Sequence, residues 1–191
     1  MPGSRRLRAA FALGFHVFAG EGWDKKAGPP PNTEPIRGAD YLGGVIQGAA
    51  IYDLTPIVAI VGTIGGHNGT HGTDTGVGTP RTTVSFNTWY GDGALRLQTP
   101  ANVWGLWIEG GAGAYAARRQ VEIKTNLSDK ISSKARAGVS ANVSTGLQYH
   151  LAQGLDIFGE VRWLYAPGRF GSEDSLDAGG FATLAGASLR L

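Results

Sequence analysis

Apolar and polar residues alternate with a period of two along most of the chain, which predicts strands rather than helices. In 135–151, Ala137, Val139, Ala141, Val143, Thr145, Leu147, Tyr149 and Leu151 share one face. Arg136, Gly138, Ser140, Asn142, Ser144, Gly146, Gln148 and His150 share the other. Segment 102–118 repeats the pattern, with Trp104, Leu106 and Ile108 against Gly105, Trp107 and Glu109. In 155–165, Leu155, Ile157, Val161, Trp163 and Tyr165 oppose Asp156, Glu160 and Arg162. A last strand, about 179–191, sets Phe181, Thr183, Ala185, Ala187 and Leu189 against Ala182, Leu184, Gly186, Ser188 and Arg190. Three segments are less regular. Residues 39–53 mix the two faces, and 57–65 are apolar on both. In 82–97, Val84 and Phe86 share one phase while Leu95 and Leu97 share the other, which predicts a bulge at Gly91-Asp92-Gly93.

The start of the chain has two readings. Arg5, Arg6 and Arg8 followed by an apolar stretch to Val17-Phe18-Ala19 resemble a secretory signal. The same stretch alternates: Leu7, Ala9, Phe11, Leu13, Phe15 and Val17 occupy one phase, and Arg6, Arg8, Ala10, Ala12, Gly14 and His16 the other. A signal has no need of alternation. The strand reading, about 5–19, also raises seven strands to eight, and single-chain bacterial membrane barrels use even numbers. Any export signal is then expected to have been removed or omitted upstream, with Met1-Pro2-Gly3-Ser4 an added start.

Between these eight strands the connectors alternate in length. Long ones fall at 20–38, 66–81, 124–134 and 167–178, and short ones at 53–56, 98–102 and 151–154. One rim of loops and one rim of turns is the plan of an up-and-down antiparallel barrel. The polar face is rich in Gly, Ser and Ala, with a few charges of both signs. That suits a narrow filled interior. As a water-facing exterior it is poor in Lys and Glu. The fold expected is therefore all-β, an eight-stranded antiparallel transmembrane barrel formed by residues 1–191 as one domain. A soluble lipocalin-like binder is the rival. Composition narrows the field further. The 191 residues include 31 glycines and no cysteine, which excludes a disulfide scaffold and thiolate metal sites. A net charge of +2 gives no case for nucleic acid. A mean hydropathy of -0.09 suits a barrel, where only alternate residues meet lipid.

Certain strand-turn units carry a resemblance: Tyr52-Asp53-Leu54-Thr55-Pro56, Gly146-Leu147-Gln148-Tyr149-His150-Leu151, Phe158-Gly159-Glu160-Val161-Arg162-Trp163-Leu164-Tyr165, and the closing Leu189-Arg190-Leu191. In these the chain resembles the OmpA-like family of small outer-membrane β-barrels. The resemblance implies a bacterial outer-membrane location and the barrel module alone. Members of that family commonly end in an aromatic residue, whereas this chain ends in Leu191.

Face and height select candidate residues. Arg8, Gln47, Glu109, Gln148, Asp156, Glu160, Arg162 and Arg190 are expected to form a polar network in the lumen, with Arg6 joining at the turn rim. Tyr52, Trp104, Tyr149, Trp163 and Tyr165 are expected in interfacial girdles, with Phe15 and Phe18 near the loop rim. His16 is expected at a rim. With Ser140 and Ser144 it also offers a minor hydrolase reading, though no motif brings the three together. His67, His71 and Asp74 lie in a Gly/Thr-rich stretch expected to be an outer loop, so no metal site is expected. No cofactor is expected. The expected partners are outer-membrane lipid and a surface ligand at the four long connectors, with no nucleic acid and the oligomeric state open. The expected role is structural or interactive with a plugged or very narrow lumen, against a small-solute porin, a lipid-modifying enzyme or a soluble binder.

Overall fold

A computed structural model describes residues 6–19, 41–73, 81–100, 103–124, 129–169 and 175–191. Eight strands form the barrel wall: β1 (Leu7–Phe18), β2 (Leu42–Asp53), β3 (Val58–Thr73), β4 (Arg81–Gln98), β5 (Trp104–Lys124), β6 (Asp129–Ala152), β7 (Leu155–Tyr165) and β10 (Gly180–Arg190). Between β7 and β10 lies a small separate ribbon, β8 (Pro167–Arg169) paired with β9 (Ser175–Asp177). The wall closes in the order β1-β10-β7-β6-β5-β4-β3-β2, with consecutive wall strands antiparallel neighbours. Closure is made by β1 on β10, from Arg8↔Arg190 to Phe18↔Gly180. The alternating N-terminal segment is thus a wall strand.

The turn rim is built from local chemistry. After β2, the Thr55 hydroxyl accepts the backbone N–H groups of Ile57 (3.2 Å) and Val58 (2.9 Å), which folds the chain back. After β4, the Thr99 hydroxyl accepts the Leu106 N–H at 2.9 Å. After β6, Gly154 takes φ 86, a conformation costly for any residue with a Cβ. A register shift between His150 and Ala152 sits beside this last turn.

The long connectors depart from expectation. β3 runs to Thr73 and β4 starts at Arg81, so most of the 66–81 connector is strand. β5 reaches Lys124 and β6 begins at Asp129, its partner across the ladder, so most of 124–134 is strand. Glycine and threonine in β3 conceal a strand because neighbouring strands, not local propensity, hold it. The 167–178 connector contains the β8–β9 ribbon. The 20–38 connector lies outside the described residues, as do Met1–Ser4 and Arg5.

The bulge expected at Gly91-Asp92-Gly93 is absent. β4 pairs without interruption with both neighbours, from Thr73↔Thr82 to Val58↔Leu97 and from Arg81↔Lys124 to Gln98↔Trp107. Val84, Phe86, Thr88, Tyr90, Asp92, Ala94 and Arg96 are all buried in one unbroken phase. What changes along β4 is the chemistry of the interior, which is polar at mid-height and apolar toward the loop end.

Large inward side chains are accommodated by glycines directly across the ladder. Tyr90 faces Gly65, Trp107 faces Gly146, and Tyr115 faces Gly138. A Cβ on Gly146 would run into the Trp107 ring and come within 2.7 Å of the Gly159 carbonyl oxygen. Part of the glycine content therefore serves a barrel too narrow for two bulky residues at one level.

Candidate functional site

The lumen is filled in three levels. At the turn end, Arg8 Nη2 donates to Asp53 Oδ1 at 2.6 Å and to Gln98 Oε1 at 2.8 Å, while its Nη1 reaches Gln148 Oε1 at 3.5 Å. Beside them Asp156 contacts His150 Nδ1 at 2.7 Å and Arg190 at 3.9 Å. Each residue arrives here because it occupies the inward phase near a strand end.

The middle level is the plug. Arg96 donates from Nε (3.0 Å) and Nη2 (2.8 Å) to Glu109 Oε2, and its guanidinium lies 3.9 Å over the Trp107 ring. Arg162 pairs with Asp92, donates to Gln47 Oε1 at 3.0 Å, approaches Glu160 at 4.0 Å and sits 5.0 Å above Tyr90. Tyr90 donates to the same Gln47 oxygen at 3.2 Å, and Gln47 Nε2 donates to Glu160 at 3.4 Å. These groups are buried, so each charge needs its partner: an uncompensated ion here costs several kcal/mol, on the order of 3–5. The central cavity left among them is about 10 Å³, room for about one water.

The top level is a cap. The rings of His16 and His67 stack at 3.6 Å, with Phe18 edge-on to both. Ala178, at the base of the β8–β9 ribbon, turns its carbonyl inward. It accepts from His67 Nε2 at 2.9 Å and from the Thr88 hydroxyl at 3.1 Å, both on the opposite wall. The Tyr115 hydroxyl donates to the Pro167 carbonyl from another side. Asp177 Oδ1 accepts the N–H groups of Ala166 (2.7 Å) and Gly179 (2.9 Å), which fixes the ribbon's base. The connector expected to project as a loop therefore has its base folded into the mouth.

Of the eight lumen candidates, Arg8, Gln47, Glu109, Gln148, Asp156, Glu160 and Arg162 are buried. Arg190 is a correction in degree: its side chain is 40% exposed and sits at the rim, reaching inward only toward Asp156. Arg6 is exposed and joins no ion pair among the described residues. Arg96, Asp92 and Tyr90 were missed because the apparent phase change in β4 hid them. Four of the girdle candidates fall into two pairs, Trp104 on Tyr149 at 4.6 Å near the turn rim and Trp163 on Tyr165 at 6.0 Å near the loop rim. Tyr52 is exposed at the turn rim, and Phe15 is exposed on the outward face. Phe18 corrects the expectation, because it is fully buried inside. His16, expected at a rim, lies in the cap near the loop rim with its ring buried. Among the described residues no hydrogen bond joins His16 to Ser140 or Ser144. His67 and His71 lie on a strand, His71 near Tyr41 at 5.3 Å, and Asp74 is outside the described residues. No group of three or more metal-ligating side chains occurs among the described residues.

Closed wall, charged core and apolar exterior can be compared with known structures. Ail of Yersinia pestis, solved with the heparin analogue sucrose octasulfate, matches 97% of this chain and 99% of its own, at 11% identity and a TM-score of 0.54. Neisserial surface protein A matches 98% of each chain, at 12% identity and a TM-score of 0.55. The chain has the fold of the small eight-stranded outer-membrane barrels. At these identities the likeness concerns the fold. No family model matches the sequence, and neither does any curated protein.

Proposed function

We propose that this chain is an integral outer-membrane barrel with a structural or surface-interaction role and a lumen closed to solutes. The outward face carries this reading. From the turn rim up to the level of Arg118 in β5, the outward phase of the described wall strands holds no Asp, Glu, Lys or Arg. Instead every wall strand exposes apolar groups, among them Phe15, Ile46, Ile64, Leu95, Leu106, Val143, Val161 and Phe181. A continuous apolar ring exceeds the patches of a few hundred Å² that soluble monomers show. On β1 it runs from Leu7 to Phe15, about 26 Å of strand, or about 20 Å of height at a tilt of about 40°. That is close to the band of about 25 Å on outer-membrane barrels. The likeness to Ail and Neisserial surface protein A supports the same placement, with the short turns on the periplasmic side. A central cavity of about 10 Å³ supports the closed lumen.

Two assays test it. The folded chain should require detergent or lipid and should shift in gel mobility on boiling. In planar bilayers it should give no steady current. Monomeric solubility without detergent would contradict the membrane placement, and steady single-channel currents would contradict the closed lumen.

One observation favours surface interaction. β5 and β6 extend well past the loop end of β7, whose last pairing with β6 is Ala141↔Tyr165. On this extension Arg119 faces Lys134 and Ala117 faces Arg136, all on the lumen-side phase, which carries no acidic residue among the described ones. Such a face suits polyanionic sugars, the class to which the sulfated ligand of Ail belongs. Retention on a sulfated-sugar column that falls in Arg119→Gln/Lys134→Gln would support this role, and unchanged retention would count against it.

A further inference from the structure

Below the plug the lumen widens at the turn end into a vestibule of about 330 Å³. Among the described residues, three arginines line it, Arg6, Arg8 and Arg190, against one acidic residue, Asp53. That carboxylate is already engaged: Asp53 Oδ1 accepts Arg8 at 2.6 Å and Gln98 at 3.0 Å. Arg8 is buried and held on a second side by Gln98 and Gln148, so it forms a fixed cationic floor. Arg190 is half-exposed, and Asp156, its nearest carboxylate at 3.9 Å, is already paired with His150 at 2.7 Å. Arg6 joins no ion pair among the described residues. Arg6 and Arg190 also lie on adjoining strand ends, since β1 and β10 pair at Arg8↔Arg190.

We infer that this vestibule is a binding site for a small multivalent oxyanion, one that carries carboxylate or phosphate groups. Guanidinium groups present paired N–H donors that match such oxygens in a forked geometry. The volume lies at the lower end of the range for small-molecule sites, about 300–1,000 Å³. The plug closes the inner end, so the site retains a ligand rather than passing it. The inference rests on the geometry of the turn end and is independent of whether the outer surface meets lipid.

The test is titration calorimetry on the full, detergent-folded chain with citrate and, separately, pyrophosphate. It is run in about 0.15 M chloride, where screening falls to about 8 Å and weak long-range attraction is suppressed. Binding of at least one anion is expected, with the neutral sugar glucose giving none. Arg6→Gln/Arg190→Gln should weaken binding by about tenfold or more, and Arg6→Lys/Arg190→Lys should recover part of it. Both positions are exposed enough to leave the fold intact, which the boiling-dependent gel shift checks. Tighter citrate than pyrophosphate assigns carboxylates, and the reverse assigns phosphates. Absence of binding by either anion, or equal binding in the Gln double variant, overturns the inference.

Discussion

Replacing Arg96 with Met should destabilise the barrel by about 3–5 kcal/mol, the cost of stranding one buried charge. The magnitude follows from what Arg96 touches. Two donors reach one Glu109 oxygen at 2.8 and 3.0 Å, with the side chains 7% and 1% exposed. At an effective dielectric near 20 and charge centres about 4 Å apart, the Coulomb attraction is about 4 kcal/mol. Stacking on Trp107 adds about 2 kcal/mol when desolvated, and methionine restores only part of the packing. Left alone, Glu109 must protonate or draw water inward. Removing both charges in Arg96→Met/Glu109→Met should return stability to within about 1 kcal/mol of the parent, because a buried pair is roughly exchangeable for apolar packing. Urea unfolding in lipid vesicles, followed by tryptophan fluorescence, measures the parent, Arg96→Met, Glu109→Met and the double variant. A single-variant loss below about 1 kcal/mol would refute the plug as a desolvated ion pair. So would a double variant with a loss equal to the sum of the singles.

Other outcomes follow from the same packing. Gly146→Ala places a methyl group against the Trp107 ring and should cost about 1–3 kcal/mol by overpacking, read in the same unfolding assay. Thr88→Val removes one of the two hydrogen bonds to the Ala178 carbonyl. It should lower the local stability of the cap by about 1 kcal/mol, visible as faster amide exchange at 175–180 with the wall strands unchanged. Glu160→Gln should cost less than Arg96→Met, because Glu160 meets Arg162 at 4.0 Å and Gln47 at 3.4 Å rather than in a close two-donor contact. A loss as large as that of Arg96→Met would show Glu160 to be the more central charge.

The period-two pattern made most of the wall legible. Strand faces in β5, β6, β7 and β10 could be read because outward Leu, Ile and Val alternate with inward Gly, Ser and charge. The same rule read Leu7–Phe18 as a strand against its likeness to a signal. It broke down where the interior changes character with height. In β4 the inward residues run from Arg96 and Asp92 to Phe86 and Val84, so a single phase looked like two, and the partners of Glu109 and Arg162 were lost. In β3 the run Gly65 to Thr73 looked like a loop because small residues there serve the bulky side chains of β4. The cap was illegible for another reason: its contacts, His67 and Thr88 on Ala178, join residues far apart in sequence through a backbone carbonyl. The polar network was thus visible as single residues but not as pairs.

The central claim is an inverted barrel, apolar outside and charged within. The chain contains no cysteine, so single cysteines at Phe15, Ile64, Leu95 and Val161 can carry nitroxide labels at four points around the wall. In lipid vesicles all four labels should collide readily with oxygen and poorly with a water-soluble nickel complex. Ready access by the nickel complex around the wall would contradict the membrane-facing exterior and the account built on it.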